Sequence, residues 1–212
     1  GTAVLARKGE QLVELLQLSF AAGTPRWAEL APRVRAIAAV DHPAVRQVLA
    51  LDEQPPTVVL EGDSTPPLAE LIDQDSCDLT RAMRILGELA RAIAAAHHVG
   101  IVHGRIDPWA VHVGASDRPR IELTGLVMRP ENHPWTAFCR VPDEIVDAAS
   151  DVYALGALLQ LFAERREITE GLRTIIADAM GEDPEARPSG SELVRRLVRA
   201  GTILARTTLR EI

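Results

Sequence analysis

Lysine is almost missing from this chain. Lys8 is the sole lysine among 23 Lys and Arg residues, so any chemistry that needs a side-chain amine would have to use it. The arginine bias, with abundant Ala and Leu, reads as genomic composition and not as mechanism. Aromatics make up only 3% of the residues. Cysteine is scarce too: Cys77 and Cys139 stand far apart, with no spacing suited to a metal site. A cysteine-rich zinc module is excluded, and a reducing compartment is the expected setting. No apolar run approaches the roughly 20 residues that cross a bilayer, and no signal peptide is visible. A cytoplasmic location is expected, and the start at Gly1 reads as a segment of a larger protein, of which this would be a cytosolic part. Basic charge is also short. The formal net charge is −7 and no basic stripe offsets it, which argues against nucleic acid or an anionic membrane as the main partner. Nor is there a Gly-x-Gly-x-x-Gly near the N-terminus, and Gly23-Thr24 lacks the paired glycines that let backbone amides approach a phosphate.

What is present is apolar patterning. With 47% hydrophobic residues over 212 positions, the chain suits one large domain or two small lobes sharing a cleft. Thr2 to Ala6 and Leu12 to Leu18, around a turn at Lys8-Gly9, predict a hairpin, although the second segment alone has the look of a short helix. Thr24-Pro25 predicts a helix start, running to about Val40 with a kink or break at Pro32. Strands are expected at Val45 to Leu51 and Thr57 to Glu61, then a connector and a short helix, Leu68 to Asp73. A long amphipathic helix follows, capped by Asp78 and stopped at Gly100. Val111 to Val113 is expected to pair with Arg120 to Leu123, and residues 125 to 144, broken by Pro130, Pro134 and Pro142, look irregular. A buried helix should open at Ser150-Asp151 and run to about Phe162, with two amphipathic helices after it. The last of these carries a capping box, Ser189 to Glu192.

The organising stretch is His97 to Val113. A helix ends at Gly100, a loop opens on His103, and a short apolar strand follows Pro108. The string His103 to Ala110 matches the protein-kinase catalytic loop, His-Arg-Asp-Leu-x-x-x-Asn, in its first histidine, its aliphatic fourth position and its length.

Taken in order, further motifs carry the same likeness: His42-Pro43-Ala44-Val45 after the first helix, Val58 to Gly62 as a strand entering a hinge, Ser150 to Gly156, and Asp183-Pro184-Glu185-Ala186-Arg187-Pro188-Ser189. The chain resembles a bacterial protein kinase of the eukaryotic-like Ser/Thr type over almost its whole length. The resemblance implies an α+β, two-lobed kinase-like fold. Residues 1–62 would form a small β-rich N-lobe with an αC-like helix, and residues 63–212 a reduced, mainly helical C-lobe. It also gives Asp151 the role of holding the loop backbone, with His103 packed beside it, and pairs Arg187 with an acid of Val141-Pro142-Asp143-Glu144. The chemistry is what departs from the pattern. Leu15 falls at the strand lysine, Arg33 at the αC glutamate, Arg105 at the loop aspartate, Ala110 at the asparagine, and Leu123-Thr124-Gly125, or the triplet two residues later, at Asp-Phe-Gly, neither register supplying a carboxylate. Lys8, Glu29 and Glu122 lie near enough for a slip of register to restore one group, not all five.

A guanidinium cannot act as base near neutral pH, and an apolar side chain cannot hold magnesium. The expectation is therefore a degenerate kinase, a pseudokinase, with no catalytic residue, cofactor or metal. It would bind another protein, or another domain of its own chain, as scaffold or regulator. The alternatives are a nucleotide-dependent transferase rebuilt around Asp107 and Glu122, or a metal-independent nucleotide or small-molecule sensor. The plainer readings of single residues run alongside. Asp107 fits a local ion pair or a solvated loop charge better than a catalytic acid, and His97 and His103 have no ligand spacing. Asp63-Ser64-Thr65 suits either a ribose contact or a helix cap, and Thr207 and Thr208 either phosphorylation or a frayed tail. Trp109 and Trp135 suit either interface anchors or core packing.

Overall fold

Alternation in the first segments produces a hairpin of β1 (Thr2–Lys8) and β2 (Gln11–Gln17). Gly9 takes a φ of +65° in the turn, a conformation that favours glycine. The helical reading of residues 12 to 18 loses to strand pairing on both sides of β2. The computed structural model describes residues 2–114, 116–126, 133–143, 145–164 and 166–208, with the backbone alone for 205–208.

Helix α1 (Pro25–Ile37) starts as the sequence predicts, with Thr24 accepting the N–H of Trp27. It passes through Pro32 without a break. Pro32 and Ala28, whose carbonyl loses its donor there, are both exposed, so the gap in the ladder falls toward water. Trp27, Ala31, Val34 and Ile37 form its buried stripe.

Strands β3 (Val48–Glu53) and β4 (Pro56–Glu61) complete an antiparallel sheet of order β1-β2-β4-β3. β3 begins later than Val45, where the sequence puts it. The reason is that residues 44 to 46 spend their backbone groups elsewhere: Arg46 N–H donates to Ile121 O at 2.8 Å, and Ile121 N–H donates to Ala44 O at 2.7 Å. That ladder ties the sheet's approach segment to a second, two-stranded hairpin.

After α2 (Leu68–Asp73) comes α3 (Leu79–His98), where Asp78 accepts the N–H of Arg81 at 2.7 Å and Gly100 follows at φ +75°. The second hairpin is β5 (Val111–Val113) with β6 (Pro119–Ile121). β6 stops short of Leu123 because the Glu122 carboxylate opens a turn by accepting the N–H groups of Thr124 and Gly125. Inside the stretch expected to be irregular lies α4 (Pro134–Phe138): Pro134, read as a breaker, is a helix starter with His133 as its cap.

α5 (Ala148–Ala163) begins two residues before Ser150, because Asp147 and Ser150 cap each other reciprocally. It is buried on nearly all sides, as its composition predicts. α6 (Glu170–Ala179), a 3-10 turn at Pro184–Ala186 and α7 (Gly190–Thr208) close the described chain. α7 continues through Gly201 to Thr208, so the tail is helical there and not frayed; the side chains of Thr207 and Thr208 lie outside the described residues. Ser189 Oγ accepts the N–H of Glu192 at 3.2 Å, but the Glu192 carboxylate turns to Arg195 and Arg196, so only half of the expected box forms.

The architecture is α+β: a four-stranded antiparallel sheet carrying α1, and a mainly helical remainder holding the β5–β6 hairpin. The large core joins α3, α5, α6 and α7, with Leu86, Leu89, Ile93, Leu158 and Phe162 at its centre. Each such side chain, fully buried, contributes about 1.5–3 kcal/mol. A smaller core under the sheet holds Leu16, Val34, Val58 and Leu60. Among the described residues, no helix is long and apolar enough to cross a membrane.

Candidate functional site

The loop 101–110 hangs from one carboxylate. Asp151, in the first turn of α5 and 0% exposed, accepts the His103 N–H at 2.8 Å through Oδ2 and the Gly104 N–H at 2.7 Å through Oδ1. His97 Nε2, at the end of α3, also donates to Oδ2 at 2.9 Å. A buried carboxylate needs such partners, because unpaired it would cost several kcal/mol.

His103 is itself fixed at both ring nitrogens. Nδ1 lies 3.1 Å from the N–H of Arg105 and accepts it, so the ring proton sits on Nε2 and is donated to Glu122 O at 2.9 Å. Gly104, between them, has a φ of +73°, and a Cβ there would come within 2.6 Å of Val146 Cγ1. A side chain here would be strained by the backbone and would have to displace Val146. His97 and His103 are thus structural partners, and among the described residues no group of three or more His, Cys, Asp or Glu comes together as a metal site.

Asp107 is not a solvated charge. It is 2% exposed, and its Oδ1 accepts the N–H groups of Trp109 and Ala110, both at 3.0 Å, closing the turn into β5. Glu122, 0% exposed, does the same for the next turn: one oxygen accepts the N–H of Thr124 and the other that of Gly125 at 3.2 Å. The two acids nearest the loop therefore hold backbone.

Arg33 faces the loop from α1. Its Nη2 donates to Val102 O at 2.7 Å and to His103 O and Leu123 O at 3.3 Å. Leu15, at the position expected of a strand lysine, is half-buried and pairs with Val59. Lys8, at the end of β1, and Glu29 on α1 are both exposed.

Sequence reasoning missed a further arginine. Arg46, 2% exposed, pairs with Glu14 of β2 at 2.5 Å and donates through Nε and Nη2 to Glu61 O. Its signal was a charge embedded in the apolar run from Ala44 to Leu51. Nearby, Arg120 of β6 pairs with the Glu61 carboxylate, and the Gly62 N–H donates to Leu12 O at 2.9 Å. A Cβ on Gly62 would meet the Leu12 backbone at 2.7 Å, so sheet and connector touch directly here.

Asp63 neither caps α2 nor stands free. Its Oδ1 accepts the Thr65 hydroxyl at 2.6 Å and the Thr65 N–H at 2.8 Å, and Pro67 occupies the α2 cap. Burial alone would raise its carboxyl, but these bonds outweigh it and hold the pKa below the ordinary value. Arg187 finds Asp143, with two bonds of 2.6 and 2.8 Å, and lies over the Tyr153 ring at 5.1 Å. Glu144, the other acid considered for it, lies outside the described residues. Trp109 and Trp135, both half-buried, each pack a ring against His133. A scan against known protein families finds no match for this chain, and a search of curated proteins finds none either.

Proposed function

We propose that this chain is a non-catalytic, kinase-like domain, a pseudokinase, that works by binding another protein or another domain as a scaffold or regulator. The observation that carries the reading is the state of the loop. Asp151 and His103 meet as the resemblance implies, while Leu15, Arg33, Arg105, Ala110 and Leu123 stand at the positions that, in the resemblance, carry the five groups phosphoryl transfer needs.

The rebuilt-enzyme alternative would need Asp107 or Glu122 to act on a substrate. Both are buried and bonded to backbone N–H groups, so using either would cost the turn it holds. The connector argues in the same direction against a nucleotide. Glu61 O accepts from Arg46 and the Gly62 N–H is taken by Leu12, so neither of these two backbone groups is open to a planar base. Beside the loop, Ile145 is 77% and Val146 55% exposed, and a protein partner seated on the loop would cover both.

The test is a thermal-shift series of the purified chain with ATP and ADP, each with and without magnesium. No shift is expected in any condition. A magnesium-dependent rise, or transfer of phosphate from ATP to the chain itself, would overturn the reading; a metal-independent rise would favour a nucleotide sensor.

A further inference from the structure

Away from the loop, a cavity of about 870 Å³ opens between α3, the β5–β6 connection and the second half of α7. Its size falls within the range of pockets that hold small organic ligands. Neither Asp151 nor Arg33 lines it, so a ligand held there would be independent of the kinase-like reading.

The floor is apolar, and Gly87 leaves a gap in it. Met83 of α3 and Leu197 of α7 line it, with Pro43 and Ala44. Gly87, buried in the middle of α3, faces it with nothing within 4 Å of where a Cβ would stand. A glycine inside a helix is disfavoured relative to alanine, and here no neighbour forbids the larger residue. Gly201 of α7 lines the opposite wall, its would-be Cβ 3.6 Å from Met83 Cβ.

The rim is charged with one sign in excess. Arg84, Arg91 and Arg118 line it against Glu88 and Asp117, in a chain whose net charge is −7. Asp117 is already shared between Arg81 and Arg84, and Glu88 is paired with Arg91. Arg118 is exposed and makes no ion pair among the described residues. An apolar trough closed by a surplus guanidinium matches a molecule with an aliphatic body and an anionic head, since a carboxylate takes two parallel bonds from arginine.

We propose that the cavity between α3, the β5–β6 connection and α7 binds a single-chain carboxylate amphiphile, with its chain along Met83, Gly87 and Leu197 and its head at Arg118. Binding would bridge α3 to α7 and couple the ligand to the end of the described chain.

The experiment uses the whole chain labelled at its methionine methyls, titrated with dodecanoate, dodecanol and dodecyltrimethylammonium below their micelle-forming concentrations. Dodecanoate should shift the Met83 methyl saturably and leave Met180 unmoved, with dodecanol at least tenfold weaker and the cation weaker still. Gly87→Leu, which fills the floor, should abolish binding. Val198→Trp fills the cavity from α7 and serves the same purpose should Gly87→Leu fail to fold. Arg118→Ala should reduce dodecanoate to the level of dodecanol. The proposal is overturned by equal binding of dodecanol, by binding that survives filling the cavity, by no saturable shift at Met83, or by a response to phosphatidylglycerol vesicles alone, which would mark a membrane-facing surface instead.

Discussion

The Nη2 of Arg33 donates to the carbonyl of Val102 at 2.7 Å, which ties helix α1 to the loop 101–110. The same nitrogen reaches His103 O and Leu123 O, so one guanidinium joins the sheet's helix to both turns of the site.

Removing that brace should loosen the loop without unfolding the core. Arg33→Met keeps most of the length and loses the donors, and a destabilisation of about 2 kcal/mol is expected for a charged hydrogen-bond donor. Urea denaturation gives the magnitude. Hydrogen exchange should show faster amides over 101–104 with α3 unchanged; unaltered exchange there would refute the bracing role.

Asp151 holds the loop from the other side, and Asn cannot replace it. Asp151→Asn puts an NH2 where either His103 N–H or Gly104 N–H needs an acceptor, so a loss of about 3 kcal/mol is expected. His97→Gln, which removes one outer partner, should cost less. Equal effects of the two variants would mean that the carboxylate does not organise the backbone.

Much of this was legible in the sequence, and the division is physical. Caps and stops made of local chemistry, Thr24-Pro25, Asp78 and Gly100, place helices where the structure has them. The meeting of Asp151 with His103, 48 positions apart, was readable only through the ordered motifs. The roles of Arg33, Arg46 and Glu122 were not, because each depends on which carbonyl or N–H the fold brings near it. Pro134 and Val45 misled for a related reason. A proline is a start or a stop according to its neighbours, and a strand-forming residue pairs with whichever edge is offered, here Ile121.

Arg187 should tolerate lysine poorly. The Arg187 side chain is 0% exposed and that of Asp143 7%, and the pair makes two bonds that a single ammonium cannot reproduce. Arg187→Met leaves Asp143 buried and unpaired, with an expected loss of about 3–5 kcal/mol. Arg187→Lys should fall between that and the parent in urea denaturation; parity with the parent would show that the fork geometry is immaterial.

His42 gives a pH dependence with a definite sign. Burial lowers its pKa below 6.5, assisted by the charge of Arg91 and opposed by Glu88 and Asp41. Geometry agrees, because Nδ1 accepts the Ala44 N–H at 3.2 Å and so must be unprotonated. The unfolded chain binds the proton more readily, so this contribution is complete above 6.5 and lost as pH falls through the folded value. Histidine NMR titration should give a midpoint below 6.5. The fall in urea midpoint between pH 7.5 and pH 5 should be smaller in His42→Asn, and an identical fall would exclude His42 as its source.

The two thiols should be silent in the folded chain. Burial pushes Cys139 up to about 12, with the Asp107 charge adding to it, and Cys77 up to about 11, with Arg81 opposing. Only the thiolate attacks a disulfide reagent, and it is scarce at pH 8 for both residues. Access is restricted as well, since both side chains are buried. An aromatic disulfide reagent should therefore release almost no chromophore from the native protein over minutes, then two equivalents at once in concentrated urea. The rate in the absence of urea should follow the unfolding equilibrium and rise in Asp151→Asn, whose folded state is less stable. A native thiol that reacted as fast as a free one, independent of that substitution, would place Cys77 or Cys139 at a surface open to solvent.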